Sequence, residues 1–416
     1  MIRRLVLSAI MLAAATPGTI SGQRYDSSTT EIVAPGVVHR RLVVNSGPWR
    51  VNVLEIDLRQ PGLSIRGARA RDAYSGRETV RSMVDRYKGP GRAVAAVNGD
   101  FFDVKTGTGQ SENNVVIEGK VWKGVTVTDS PYDTFDNLHS QFGVDWRNRP
   151  RIDRFGLDAW IIGASGHRVR LDGLNFRPDT NSIVLYTPAF GDSTPTDSIG
   201  RRMLSLPLRL TGQRGDMFFF RVAGSARDGG GVPLAGGGVL AAEGTKSSDL
   251  RAIAARRGGL TIKVRLAPNG ARLRTVVGGW PRLVLAGRNV AQLADIVEGT
   301  FPRFSSAKHP RTAVGFSRDS SKLFLITVDG RRESDSGMSL VELGKMVMDL
   351  GAYEAMNFDG GGSTTMVIDG KVVNLPSDQT GERPVGGALM VVVDDSTGMT
   401  RGRLRRTRGP GLPIAH

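Results

Sequence analysis

The segment Asn357-Phe-Asp-Gly-Gly-Gly-Ser-Thr-Thr-Met366 sets the strongest limit on how this chain folds. A short apolar run stops at a carboxylate and is followed at once by three glycines and a run of hydroxyls. Successive glycines let the backbone bend through conformations closed to other residues and let another group approach the main chain closely. Asp359 is therefore expected at a sharp bend just beyond a strand. A tight turn accounts for a single Asp-Gly pair, but three glycines exceed what a hairpin needs.

Other segments repeat the theme. Val94 to Val97 reads as a short apolar strand that runs into Asn98-Gly-Asp-Phe-Phe-Asp103. His309-Pro-Arg-Thr-Ala-Val-Gly-Phe316 leads into a strand at Lys322 to Asp329 that closes on Asp329-Gly330-Arg331, and Gly278-Gly-Trp-Pro-Arg-Leu-Val284 precedes both. In this order these motifs resemble the phosphodiester glycosidase family, over the span from about Val94 to Val393. The resemblance implies hydrolysis of a sugar-1-phosphate diester, and it carries over to Asn98, Asp103, Arg311, Thr312, Asp359, Gly360, Gly361, Gly362 and Ser363.

Breaking the acetal bond of such a diester builds positive charge on the sugar ring and negative charge on the departing phosphate monoester. A site for this chemistry needs a carboxylate near the ring and cationic donors around the phosphate. Asp359, Asp100 and Asp103 are the candidate catalytic carboxylates. Arg311 and Arg383 are the candidate phosphate contacts, because a planar guanidinium binds two phosphate oxygens at once. Asn98, Thr312, Gly360, Gly361, Gly362 and Ser363 complete the candidate substrate-binding set. Each has a structural rival: Asp103 also suits a turn cap, Asn98 a bond to backbone, Arg311 an internal ion pair and His309 a plain loop residue. Ser363 lacks the Gly-x-Ser-x-Gly surroundings of a hydrolase nucleophile and fits a hydrogen-bond donor better. Zinc is not indicated without a His-x-x-x-His or Cys cluster, whereas a calcium or magnesium ion near Asp359 or Asp329 remains open and no ligand set is fixed.

With 416 residues, 39% of them hydrophobic, the chain can bury a core larger than one average domain needs. Met1-Ile-Arg-Arg4 followed by the apolar run Leu5 to Ala15 has the form of a secretory signal peptide, too short for the roughly 20 residues that span a bilayer. Cleavage after Ala13-Ala-Ala15 or nearer Gln23 is compatible with the pattern. There is no cysteine, so disulfides, thiolate metal sites and an N-terminal lipid-modified cysteine are excluded. The expectation is an exported, secreted or periplasmic protein without a transmembrane anchor. A formal charge of +16 favours anionic partners, and for an exported chain a phosphorylated glycan or anionic polysaccharide fits better than nucleic acid. A non-catalytic polymer-binding protein, or a phosphodiesterase cutting P–O bonds, would share these features.

The fold class expected is α+β, a mixed β-sheet core with flanking helices and a β-rich inserted lobe. Strands are read at Val37 to Val44, Arg50 to Leu58 and Ala388 to Val393, and helices at Arg77 to Tyr87, Asp249 to Arg257 and from Ser339, where Ser339 and Glu342 have capping-box spacing. The division expected is a signal peptide at 1–23, a first core part at 24–145, the β-rich insertion at 146–274, a second core part at 275–395 and a basic tail at 396–416.

Overall fold

The computed structural model describes residues 26–128, 134–164, 166–177, 180–196, 203–256, 258–268 and 273–394. The expected signal peptide and basic tail lie outside the described residues.

Alternating apolar positions build most of the molecule. In Lys322–Val328 the side chains of Leu323 and Leu325 enter one core cluster while Phe324, Ile326 and Val328 enter another, so this strand is buried on both faces. It lies inside an eight-stranded sheet of Ser27–Ala34, Val37–Val44, Trp49–Asp57, Lys322–Val328, Arg311–Phe316, Glu354–Asn357, Arg282–Leu285 and Arg288–Asn289, taken in spatial order. A five-stranded sheet runs Lys371–Val372, Met366–Ile368, Arg92–Asn98, Gly387–Val393, Leu63–Arg69. Leu54, Ile56, Leu323 and Leu325 of the first meet Ile65, Val94, Val97, Leu389 and Val391 of the second in one buried cluster, which makes the pair a sandwich.

Helices cover the outer faces. Leu340–Asp349 buries Leu340, Leu343, Met346 and Val347 against the eight-stranded sheet, and Val80–Asp85 buries Val80, Met83 and Val84 against the five-stranded one. The expected capping box is present: the Ser339 side chain accepts from the Glu342 backbone N–H while the Glu342 side chain accepts from that of Ser339. The shorter helix starts later than expected. Thr79 caps it by accepting from Ser82 N–H, and Glu78 instead binds Arg86.

The α+β expectation with a mixed core sheet is corrected. Strands make up 47% of the described residues and helices 12%, so the fold is mostly β. Every pairing in the two sandwich sheets is antiparallel. Whether strands pair parallel or antiparallel is a property of pairing and not of local pattern. A third sheet of 14 strands holds residues between Val115 and Gly278, and among the described residues its only parallel pairing is Gly173–Leu174 with Val184 and Leu185. This sheet curls until Lys120–Val125 packs against Gly156–Gly163 and Gly259–Ala267 around a leucine-rich interior.

Replacing Ser339 with Ala removes one half of the capping box. The expected loss is about 1 kcal/mol of unfolding free energy, read from the denaturation midpoint; an unchanged midpoint would mean that the cap does not hold the helix on the sheet.

Candidate active site

The sandwich sheets meet at the carboxyl ends of Arg92–Asn98 and Glu354–Asn357. Phe358 N–H donates to the Thr312 carbonyl at 2.8 Å, and the next residue, Asp359, donates its N–H to the Gly99 carbonyl at 3.0 Å. Within one residue the chain thus passes from one sheet to the other. Asn98, fully buried, pins this crossing: its Nδ2 donates to the Asp359 carbonyl at 2.7 Å, and its Oδ1 accepts from the Thr312 hydroxyl at 2.8 Å and from Thr365 N–H at 3.1 Å. Asn98 and Thr312 therefore spend their side chains on each other and on backbone.

Beyond Asp359 the chain makes a short 3-10 turn over Gly361–Ser363. Gly360 N–H donates to the Asp359 carboxylate at 2.9 Å, and Gly361 N–H, at a φ of +60°, donates to the Pro310 carbonyl at 2.8 Å. A β-carbon added at Gly362 would strike the guanidinium of Arg383 and the carboxylate of Asp378. Glycine is needed there because Arg383 lies directly on the turn. Arg383 is held by a two-pronged pair to Asp378, at 2.7 and 2.9 Å, and its remaining terminal nitrogen points at the Ser363 hydroxyl, 3.5 Å away.

The environment tunes Asp359. The residue is partly exposed, yet burial of its carboxyl outweighs the hydrogen bond from Ser363, the charge of Arg383 and the Gly360 N–H, and pushes its pKa up to about 6. The charge of Asp100 pushes the same way. Asp100 is buried behind the turn, where Asn113 donates its backbone N–H at 3.0 Å and its side-chain amide at 2.8 Å; burial raises its pKa as well.

Asp103 and Arg311 are placed differently. Asp103 closes a loop by accepting from Thr106 N–H at 3.0 Å and from the hydroxyls of Thr106 and Thr108; burial would raise its carboxyl, but these bonds prevail and hold it at about 2. Its side-chain hydrogen bonds stay within this loop and do not reach Asp359. Arg311 is 1% exposed, lies over the Phe304 ring and donates to the carbonyls of Met338, Phe304 and Ala307 at 2.7 to 3.0 Å. It braces the loops around the site from within.

Arg331 was quoted above only as the end of a strand motif. It is exposed, has a positive φ, and its guanidinium lies within 2.9 Å of where a β-carbon on Gly361 would stand. A cation thus stands on each side of the glycine turn, Arg331 beside Gly361 and Arg383 beside Gly362. His309 pairs through its backbone with Met338, its Nδ1 is buried without a partner among the described residues, and burial followed by the charges of Arg311 and Arg331 lowers its pKa. Unpaired buried polar atoms gather nearby, at Asn357 Oδ1, Thr364 Oγ1, Thr365 Oγ1 and Ser377 Oγ. Among the described residues no three His, Cys, Asp or Glu side chains converge to hold a metal ion. A cavity of about 680 Å³ lies in the third sheet and contains none of these residues. Charge, not volume, singles out the turn.

A family model described as phosphodiester glycosidase matches residues 212–392. An N-acetylglucosamine-1-phosphodiester alpha-N-acetylglucosaminidase from Bos taurus is 38% identical over 94 residues, 22% of this chain and 18% of that protein. An SPbeta prophage-derived protein of Bacillus subtilis is 35% identical over 92 residues, covering 22% and 14% of the two chains. The match therefore spans less than a fifth of either relative. Two crystal structures share the fold. A protein from Synechocystis has a TM-score of 0.68 at 21% identity, over 88% of this chain and 64% of its own. A protein titled as exported, from Burkholderia pseudomallei, has a TM-score of 0.63 at 23% identity, over 85% and 77%.

Asn98→Asp preserves size but turns a carboxylate oxygen toward the Asp359 carbonyl. The expected cost is on the order of 3 kcal/mol of unfolding free energy at pH 7, since a buried donor becomes an unmatched charge. Denaturant titration checks this, and a wild-type midpoint would show that the amide does not clamp the two sheets.

Proposed function

We propose that this chain, whose residues 212–392 match the phosphodiester glycosidase family model, is a member of that family and an exported hydrolase of sugar-1-phosphodiesters. It cleaves the sugar C1–O bond in a glycoconjugate or in a cell-wall or exopolysaccharide polymer. One observation carries this reading: the Asp359 carboxyl, pushed up to about 6, stands on a glycine turn between two arginines.

In this reading Asp359 acts as its carboxylate and stabilises the positive charge that grows on the sugar ring. Arg383, oriented by Asp378, and Arg331 receive the phosphate, whose leaving oxygen gains negative charge as the bond breaks. A phosphate monoester leaves readily, so no strong acid is required at that oxygen. Ser363 aligns the carboxylate by hydrogen bonding to it. Asp100 acts from behind, where its charge helps to keep the Asp359 pKa high. Asn98, Thr312 and Arg311 fix the position of the turn and do not touch substrate. The +16 charge suits an anionic polymer substrate.

The reading is tested by incubating purified protein with a panel of sugar-1-phosphodiesters and identifying the products. Free sugar and phosphate monoester are expected, and no product above background would leave a binding protein instead. Asp359→Asn should lower turnover by on the order of 10²-fold or more while the fold is kept; full activity in this variant would return Asp359 to a turn residue.

The pH profile gives an independent check. The ionised form is the active one, so kcat/KM should fall as pH drops through about 6, with the acid limb set by Asp359. A rate flat from pH 7 to pH 4.5 would contradict the assignment.

A further inference from the structure

A cavity of about 680 Å³ opens at one end of the curled third sheet. Its floor is formed by buried Leu174, Leu185, Phe220, Val264, Leu266 and Leu273. The volume lies within the range of small-molecule sites, which often occupy the mouths of curled β-sheets. It is more than four times the roughly 150 Å³ apolar cavity that accommodates a benzene ring.

Apolar surface continues to the rim. Leu210 is 42% exposed and Trp146 49% exposed, a cost in water that an apolar ligand would remove. The Trp146 ring is fixed by the Arg274 guanidinium, 4.5 Å from its centre. Rim charges are largely neutralised within the protein: Glu118 pairs with Arg66 at 3.0 Å, Asp216 with Lys263 at 3.8 Å, and Arg265 with Asp158. Lys120 is the exception. Its ammonium lies 5.2 Å from the Trp122 ring centre, and among the described residues it forms no ion pair with a carboxylate. An uncharged hydrocarbon would leave this cation unused, and a sugar chain would leave its own hydroxyls unpaired against the leucine floor.

We propose that this mouth binds a single-chain amphiphile, its alkyl chain on the leucine floor and its anionic head at Lys120. The site contains none of the residues at the glycine turn, so either reading can fail without the other.

Isothermal titration of the full chain tests it with four ligands of equal chain length, each below its micelle concentration: dodecanoate, dodecyl phosphate, dodecanol and dodecyltrimethylammonium. Saturable one-to-one binding of the two anions is expected, at least fivefold tighter than that of the cation, and Lys120→Glu should abolish this preference. Leu210→Glu at the exposed rim and Val264→Trp in the floor should each weaken anion binding at least tenfold. Leu210→Glu should leave the thermal midpoint and sugar-phosphodiester turnover unchanged, which keeps the test valid even if Val264→Trp misfolds. Absence of saturable binding, wild-type affinity in a folded Leu210→Glu variant, or equal binding of anion and cation would overturn the proposal.

Discussion

The primary amide of Asn98 is the interaction on which the rest of the structure depends. One buried side chain satisfies a hydroxyl from the eight-stranded sheet, a backbone N–H next to the five-stranded sheet and the carbonyl of the residue that begins the glycine turn. An amide is suited to this because it donates and accepts from one planar group. The sandwich core alone would let the sheets slide, since apolar contact is not directional. The amide fixes their edge, and with it the position of Asp359.

From that fixed edge the electrostatics follow. Burial raises the carboxyl of Asp359, while Arg383 and Ser363 limit the rise, leaving a group that changes charge near neutrality. The guanidiniums near the turn divide into two uses. Arg311 faces inward and satisfies the carbonyls of loops that would otherwise be buried without partners. Arg383 and Arg331 face the turn, where glycines leave room for them. Arginines of equal charge thus serve opposite purposes, because Arg311 is buried while Arg383 and Arg331 are not.

Much of the edge is written locally and was legible in the sequence. Strand boundaries at Val37–Val44 and Lys322–Val328 follow from apolar runs bounded by turn residues, and the Ser339 capping box from a three-residue spacing. The motifs at Asn98, Thr312 and Asp359 do converge. The fold class was not legible, because helical caps are local signals while antiparallel pairing joins residues such as Asn52 and Thr327, far apart in the chain. Nor could the sequence tell Arg311 from Arg331. Both follow a proline or glycine in a loop motif, and only the tertiary packing of Phe304 over one of them decides which reaches solvent. The glycine at 278 was a usable hint: a β-carbon there would collide with Asp100, which explains why that motif belongs with the others.

The central claim is that charge develops at the sugar carbon beside Asp359, and the fate of the water oxygen reports on it directly. Hydrolysis of a sugar-1-phosphodiester in ¹⁸O-labelled water, followed by mass spectrometry of both products, should place the label on the sugar hydroxyl and leave the phosphate monoester unlabelled. Label in the phosphate would mean that the P–O bond breaks, and would contradict the account.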